Sequence, residues 1–341
     1  MEVRDIGEFN LVERILKAIT PAAGVGGRCV ERRARLVVGP GDDAFAAEVS
    51  PGFAIVGTKD LLVEDIHFRR DWASPEEIGY KSMAVNASDL AAMGGCAPLY
   101  ALVGLALPAG TDVDFVKRLY RGMNRCCKRY CFSLAGGDTV SSLRGIIISV
   151  TMLGAAKKKY ILTRSGARPG DLVAVTGTFG DSGAGLHLLQ KGGKGDSPDG
   201  RYLIRKHLLP EPRFAEAAAL ARSGAATALI DSSDGLAASV GFIAQASGAG
   251  ARIDLDKIPL SRAWRRVAAD GKIAPYRMAL AGGEDYELVC TVRAGKFGLL
   301  KKRIPSLTAV GVIAGEKKIE YFLNGKKQNI ATKGFEHFGR G

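Results

Sequence analysis

Acidic residues recur in short runs of glycine, serine and threonine: Gly41-Asp42-Asp43, Thr58-Lys59-Asp60, Glu64-Asp65, Asn86-Ala87-Ser88-Asp89, Gly136-Gly137-Asp138-Thr139, Asp231-Ser232-Ser233-Asp234-Gly235 and Gly282-Gly283-Glu284-Asp285. If these runs meet in space, their mutual repulsion calls for divalent cations. Hard oxygen ligands beside small residues suit Mg2+, and several Mg2+ ions point to phosphate. The chemistry expected is phosphoryl handling by a nucleotide-dependent enzyme.

Each run also has a plainer reading. Gly39 to Asp43 is a turn by composition, and aspartates in turns bond their own backbone. Serine and aspartate are preferred helix N-caps, so part of Asp231 to Asp234 is expected to cap the helix that follows. The paired glycines before Asp138 and Glu284 allow positive φ and a close approach of backbone to ligand. Asp89 falls near a helix C-terminus, where the macrodipole disfavours an acid and a cation would compensate. His67 is the one histidine beside an acidic run, and its structural and catalytic readings are nearly balanced. His187, His207 and His337 have no comparable context.

Strand-like and helix-like stretches must position these groups, and their alternation reads as an α/β (α+β) chain. Phe53 to Gly57 is a strand that delivers Thr58 and Asp60. Ser74-Pro75-Glu76-Glu77 opens a helix with Ser74 as N-cap and Glu77 completing a capping box. That helix is expected to run to about Met93, with Ser82, Asn86 and Asp89 on one face. Tyr100 to Leu107 is a strand, Asp112 to Tyr130 a helix, and Cys131 to Ala135 a short strand ending in the Gly136-Gly137-Asp138-Thr139 turn. Strands are also expected at 145–154, 172–176 and 286–292, and a helix over 181–190. The stretch 191–200 is the most loop-like in the chain.

The chain has 341 residues, which fits two domains, with the junction in the polar stretch around 157–171. No apolar run reaches the roughly 18 residues of a membrane span. The charged N-terminus lacks an apolar signal region, so the cytoplasm is expected. Six cysteines lack Cys-x-x-Cys pairs and read as small buried residues. The net charge of +13 comes from 48 Lys and Arg against 35 Asp and Glu, but the cations are dispersed and no nucleic-acid partner is expected. The phosphate-binding P-loop, the dinucleotide fingerprint and the protein-kinase set are all absent from the sequence.

Taken in order, the motifs resemble those of the thiamine-monophosphate kinases, a family within the aminoimidazole-ribonucleotide-synthetase-like superfamily. The set includes Gly7-Glu8-Phe9, Asp42-Asp43, Asp60 to Glu64 with His67-Phe68, Asn86 to Gly94, Gly136 to Thr139, Leu162 to Gly166, Asp231 to Leu236, Gly282 to Leu288 and Gly334 to Phe338. The resemblance implies ATP-dependent phosphorylation of thiamine monophosphate to thiamine diphosphate by direct in-line transfer. It implies an N-terminal ATP- and Mg2+-binding domain (1–155) that pairs two copies through its sheet, and a C-terminal α/β domain (156–341). By the same resemblance Asp43, Thr58, Asp60, Asp89, Asp138, Asp231 and Asp234 hold Mg2+. Gly137, Arg164 and Ser233 contact ATP, and His67, Glu284 and Phe335 face the thiamine end. The acceptor phosphate is already ionised at neutral pH, so no acid–base residue is assigned. Glu284 and Phe335 suit a cationic thiazolium ring.

One position departs from the family pattern: Lys59 stands where a small hydroxyl residue is usual, which leaves the number of metal ions open. Glu64-Asp65-Ile66 is also more acidic than the usual sequence. The alternatives are a superfamily relative (aminoimidazole ribonucleotide synthetase, selenophosphate synthetase or the hydrogenase-maturation type) or a non-catalytic nucleotide-binding protein.

Overall fold

The computed structural model describes residues 35–193, 195–270 and 275–330, together with Asn10 and Arg14. Phe335, Cys29 and the Gly7 to Phe9 and Gly334 to Phe338 motifs lie outside the described residues.

Two sheets organise the chain. The first contains β1 (Arg35–Val38), β2 (Phe45–Ser50), β3 (Phe53–Val63), β4 (Gly94–Leu107), β5 (Ser133–Ser141) and β6 (Ile147–Ile161), in the order β1-β2-β3-β6-β4-β5. All neighbours are antiparallel except β4 and β5. Strands β3 and β6 pair without a break from Phe53↔Lys157 to Val63↔Ile147. The period-2 alternation of a strand then decides which side chains face inward. Ala54, Val56, Leu62, Ile148, Val150 and Met152 are buried against helices, each large one contributing about 1.5–3 kcal/mol. Phe53, Ile55, Leu61, Tyr100 and Leu102 stay exposed on the other face.

Helix α1 (Pro75–Ala92) covers the inner face together with α2 (Val113–Tyr130). The capping box forms: Ser74 Oγ accepts from Glu77 N at 3.3 Å, and Glu77 Oε2 accepts from Ser74 N at 2.8 Å. The two helices touch through glycine. A Cβ at Gly79 would lie 2.0 Å from Leu119 O, and one at Gly122 1.9 Å from Glu76 O. Neither position admits a larger residue without separating the helices.

The second sheet has the order β13-β12-β9-β11-β7-β10-β8. Its strands are β7 (Leu172–Val175), β8 (Ala226–Asp231), β9 (Gly250–Asp254), β10 (Leu288–Val292), β11 (Thr308–Ala314), β12 (Ile319–Leu323) and β13 (Lys326–Gln328). Around it lie α3 (Asp181–Gln190), α4 (Pro198–Leu208), α5 (Phe214–Ser223), α6 (Leu236–Ser247), α7 (Arg262–Asp270), α8 (Pro275–Ala281) and α9 (Phe297–Arg303). Ala91 and Ala92 at the end of α1 share a core with Leu220, Leu229 and Leu288, which locks the first half onto the second.

Three local expectations are corrected. The Gly136 to Thr139 run is not a turn; it continues β5, with Gly137 opposite Val103 and Asp138 opposite Gly104. Helix α4 starts inside the stretch read as loop, because Ser197 caps it and accepts from Gly200 N at 2.9 Å. Strand β6 runs to Ile161, beyond the 145–154 expected.

Candidate active site

The acidic runs converge where the two halves meet. The turn after β1 supplies Asp42 and Asp43, β3 supplies Thr58 and Asp60, α1 supplies Asp89, and β8 ends in Asp231. Asp43, Asp89 and Asp231 each place a carboxylate oxygen within 4.8 Å of the others. Neighbouring side chains fix them. Thr58 Oγ1 donates to Asp89 Oδ2 and Ser88 Oγ to Asp231 Oδ2, both at 2.5 Å. Asn86 Oδ1 accepts from Asp60 N at 3.0 Å while Asn86 Nδ2 donates to Ser82 O at 3.1 Å. The Ser82, Asn86 and Asp89 face of α1 is therefore used as its spacing predicted.

Burial and like charge push these carboxyls toward neutrality. Desolvation raises Asp43 to about 8, with Arg164 opposing and Asp231 adding to the rise. Desolvation raises Asp60 to about 6, reinforced by Asp234 and Asp43. Asp231 also rises to about 6 through desolvation, opposed by the Ser88 bond. Asp89 stands well above its ordinary value, from desolvation and then from Asp60, Asp231 and Asp43.

Arg164 offsets part of this charge. Its Nη2 and Nε reach Asp43 Oδ1 at 2.5 and 3.2 Å, its backbone N–H meets Asp42 Oδ2 at 3.1 Å, and its guanidinium lies 5.2 Å from the Phe242 ring centroid. Asp43 Oδ2 and Ser232 Oγ are buried without a hydrogen-bond partner. An orphaned buried acceptor costs about 1–3 kcal/mol or more when charged. A hard cation facing Asp43 Oδ2 removes that cost, so the donor set fits Mg2+. The expected cap does not compete for these groups: Gly235 holds the N-cap position of α6, with no side-chain bond there.

From this acidic end a cleft of about 450 Å³ runs past Asp60, Asp89, Ser233 and Asp234 to His67, Phe68, Trp72, His207 and Glu284. His67 Nδ1 accepts from Val63 N at 3.1 Å, which fixes its ring. Glu284 sits at φ 56 between Gly283 and Asp285, and its N–H donates to Ser233 O at 2.6 Å. Its carboxylate meets Lys81 Nζ at 2.9 Å (Oε1) and 3.0 Å (Oε2), and His207 Nδ1 at 3.2 Å. Burial alone would raise Glu284, but Lys81 and then His207 hold it below its usual value. Desolvation and then Lys81 lower His207 to about 4, so its ring is neutral. Asp285 points elsewhere. It accepts from Gly180 N at 2.7 Å and Ser182 N at 3.1 Å, at the start of α3.

Of the expected metal-, nucleotide- and substrate-binding residues that the structure describes, all but two share this cleft or its acidic end. Gly137 and Asp138 lie on β5, three strands from β3 in the sheet, about 14 Å by strand spacing. By its register opposite Gly104, Asp138 belongs to the exposed face, whereas Asp60 is on the helix-covered one. Lys59 shares that exposed face, its Nζ 2.5 Å from Ser149 Oγ. We expect Lys59→Thr to leave the Mg2+ concentration for half-maximal activity within about twofold, since Lys59 points away from Thr58 and Asp60. A larger shift in a magnesium titration would place the ammonium in the metal environment.

Lys81 and His207 escaped the sequence reading. Lys81 carried a signal: it is the single basic residue between Ile78 and Met93, and it lies in phase with Val85 and Asp89. His207 carried none.

This fold is that of the AIR synthase related proteins. The family profile for the N-terminal domain matches residues 41–156, and that for the C-terminal domain matches residues 168–324. The chain is 37% identical over 309 residues to the thiamine-monophosphate kinase of Bacillus subtilis, covering 88% of this chain and 93% of that protein. It is 36% identical over 340 residues to the thiamine-monophosphate kinase of Salmonella typhimurium, covering 97% and 98%. The solved structure described as AaThiL complexed with AMPPCP and TMP superposes with a TM-score of 0.83 at 33% identity, over 99% of both chains. The chain belongs to the AIR synthase related family, in its thiamine-monophosphate kinase branch.

Proposed function

We propose that the protein phosphorylates thiamine monophosphate to thiamine diphosphate, taking the γ-phosphoryl of ATP by direct in-line transfer. The observation that carries this reading is a cleft with clustered carboxylates at one end and a wall that joins Phe68 and Trp72 to Glu284 at the other. The AaThiL complex with AMPPCP and TMP supports it.

In this reading Asp43, Thr58, Asp60, Asp89, Asp231 and Asp234 hold Mg2+ ions. Bound there, the ions offset the repulsion between two phosphates and stabilise charge on the transferred group. The chain's own task is positioning. Thr58 and Ser88 orient the carboxylates of Asp89 and Asp231, and Asn86 fixes the strand at Asp60. Arg164, anchored on Asp43, would balance charge on the nucleotide, and Ser233, on the cleft lining, would contact it. An oxygen of the acceptor phosphate attacks the γ-phosphorus as the bond to the β-phosphate bridging oxygen breaks. The acceptor oxygen is already ionised, so no side chain removes a proton. His67, Glu284 and Phe335 hold the thiamine end.

The domain over 1–155 would pair with a second copy through the exposed face of its sheet, where Phe53, Ile55, Leu61, Tyr100 and Leu102 await cover. Gly137 and Asp138 lie on β5 of the same sheet, so any role for them at the nucleotide would belong to the assembled dimer. We place the enzyme in the cytoplasm; no helix among the described residues is long and apolar enough to cross a membrane.

The test is product analysis. Purified protein with ATP, Mg2+ and thiamine monophosphate is expected to yield thiamine diphosphate and ADP in equal amounts. ATP binding with no thiamine diphosphate would overturn the reading in favour of another superfamily chemistry.

A further inference from the structure

The basic residues look dispersed along the sequence, but α2 gathers a set of them. Between Phe115 and Tyr130 the helix carries Lys117, Arg118, Arg121, Arg125, Lys128 and Arg129, and no acid. Two of these cations are paired. Arg118 Nε meets Glu76 Oε1 at 2.9 Å, and Arg129 Nη2 meets Glu211 Oε1 at 2.6 Å. The other four are exposed, and no carboxylate among the described residues lies within 4.0 Å of their charged groups. Arg125 has only a ring beside it, with its guanidinium 5.0 Å from the Tyr80 centroid.

Helical phase puts the four on one face. At about 100° per residue, Lys117, Arg121, Arg125 and Lys128 fall within an arc of about 80°. The buried side of the helix, with Leu119, Met123, Cys126 and Cys127, lies opposite. From Lys117 to Lys128 the row is about 16 Å long. This arrangement works against the helix. Lys117 and Arg121, Arg121 and Arg125, and Arg125 and Arg129 are like charges four positions apart, each pair mildly destabilising. A face kept for solubility alone mixes both signs.

The kind of anion that fits is set by what else the face carries. No large apolar side chain on α2 is exposed between Phe115 and Tyr130. The face therefore has nothing to insert into a lipid surface and no anchor for a protein partner. It offers a line of charge. One strand of a nucleic-acid duplex sets a phosphate every ~3.4 Å along the axis, so a row of about 16 Å lies against roughly five consecutive phosphates. Contacts of this kind hold the backbone without reading bases.

We propose that the exposed face of α2, through Lys117, Arg121, Arg125 and Lys128, is a sequence-independent docking surface for the phosphate backbone of duplex nucleic acid. This revises the expectation, read from sequence, that the chain has no nucleic-acid partner. The surface lies outside the catalytic cleft, and the proposal does not depend on the kinase reading.

The probe is a fluorescently labelled DNA duplex of about 20 base pairs, titrated with the full chain and followed by anisotropy between about 50 and 200 mM salt. Four phosphate contacts predict a slope of log affinity against log salt of about −3 to −4. The variant carrying Lys117→Gln, Arg121→Gln, Arg125→Gln and Lys128→Gln is expected to lose at least ~10-fold in affinity at the low-salt end and most of the slope. Its kinase turnover should equal that of the native chain, and with like charges removed it should melt no lower. A control variant, Lys296→Gln, Lys302→Gln, Lys317→Gln and Lys326→Gln, removes the same charge elsewhere and is expected to change affinity by less than about threefold. Equal losses in the two variants would overturn the proposal in favour of bulk charge. Absence of saturable duplex binding by the native chain would overturn it outright. Binding to polyglutamate or to phosphatidylserine vesicles as tight as to the duplex would do the same.

Discussion

Asp89→Asn is expected to lower turnover by about 10³-fold or more while leaving the protein folded. The carboxylate sits among Asp43, Asp60 and Asp231, and a metal-held charge of this kind supplies several kcal/mol to phosphoryl transfer. Asparagine keeps the shape and can still accept from Thr58, so local structure survives. Because like charge is removed from a crowded site, the Mg2+-free variant should melt no lower than the native protein.

The pH dependence gives a second readout of the same site. Carboxyls whose folded pKa is raised contribute stability below their ordinary value near 4, and that stability is lost as pH rises through the folded values. These values are about 6 for Asp60 and Asp231 and about 8 for Asp43. Native protein without Mg2+ should therefore lose melting temperature between pH 5 and 8. Protons compete with the metal for the same oxygens, so Mg2+ should restore more of that temperature at pH 8 than at pH 5. In Asp89→Asn the restoration should largely vanish. Near-native turnover and a preserved magnesium shift in differential scanning calorimetry would remove Asp89 from the metal site.

Arg213→Met is expected to destabilise the protein by about 3–5 kcal/mol, lowering the melting temperature by on the order of 10 °C. Glu287 is 2% exposed and accepts from Thr176 Oγ1 at 2.7 Å and from Arg213 Nε at 2.8 Å, with Arg213 Nη2 on its second oxygen. Thr176 Oγ1 accepts in turn from Leu288 N at 2.9 Å, so the pair ties the start of α5 to β7 and β10. Gly177 leaves room for the carboxylate, since a Cβ there would lie 2.1 Å from Glu287 Oε1. Without the guanidinium a buried anion is left stranded. The double variant Arg213→Met with Glu287→Gln should recover most of the loss, because the cost lies in the unpaired charge. Urea unfolding of the single and double variants measures this; a single-variant cost under 1 kcal/mol would show that water reaches Glu287 easily.

The acidic site was largely readable from sequence because its parts are local signals. Asp231 to Asp234 follows a strand, Asn86 and Asp89 share a helical phase, and Ser74 with Glu77 marks the start of α1. What sequence could not reveal depends on pairing across long separations. Lys81 and Glu284 are 203 positions apart. His207 gains its meaning only where α4 meets the Gly282 to Tyr286 loop. The Gly136 to Thr139 run reads as a turn by composition, yet the pairing with β4 holds it extended. Its parity along β5, which puts Asp138 on the exposed face, follows from the register shift between Ala101 and Leu102. Lys59 was the opposite case. Simple alternation with Thr58 and Asp60 is enough to send it outward.

Helix α1 acts as a ruler. Lys81 and Asp89 are eight positions apart on one continuous helix, a rise of about 12 Å. The gap between the Glu284 wall and the acidic end of the cleft is therefore tied to the rise of one continuous helix. Inserting a single residue between them would turn one mark by about 100° relative to the other. On the function proposed above, the length of acceptor the cleft can span would be fixed by the count of residues from Lys81 to Asp89, and it would change only by whole turns.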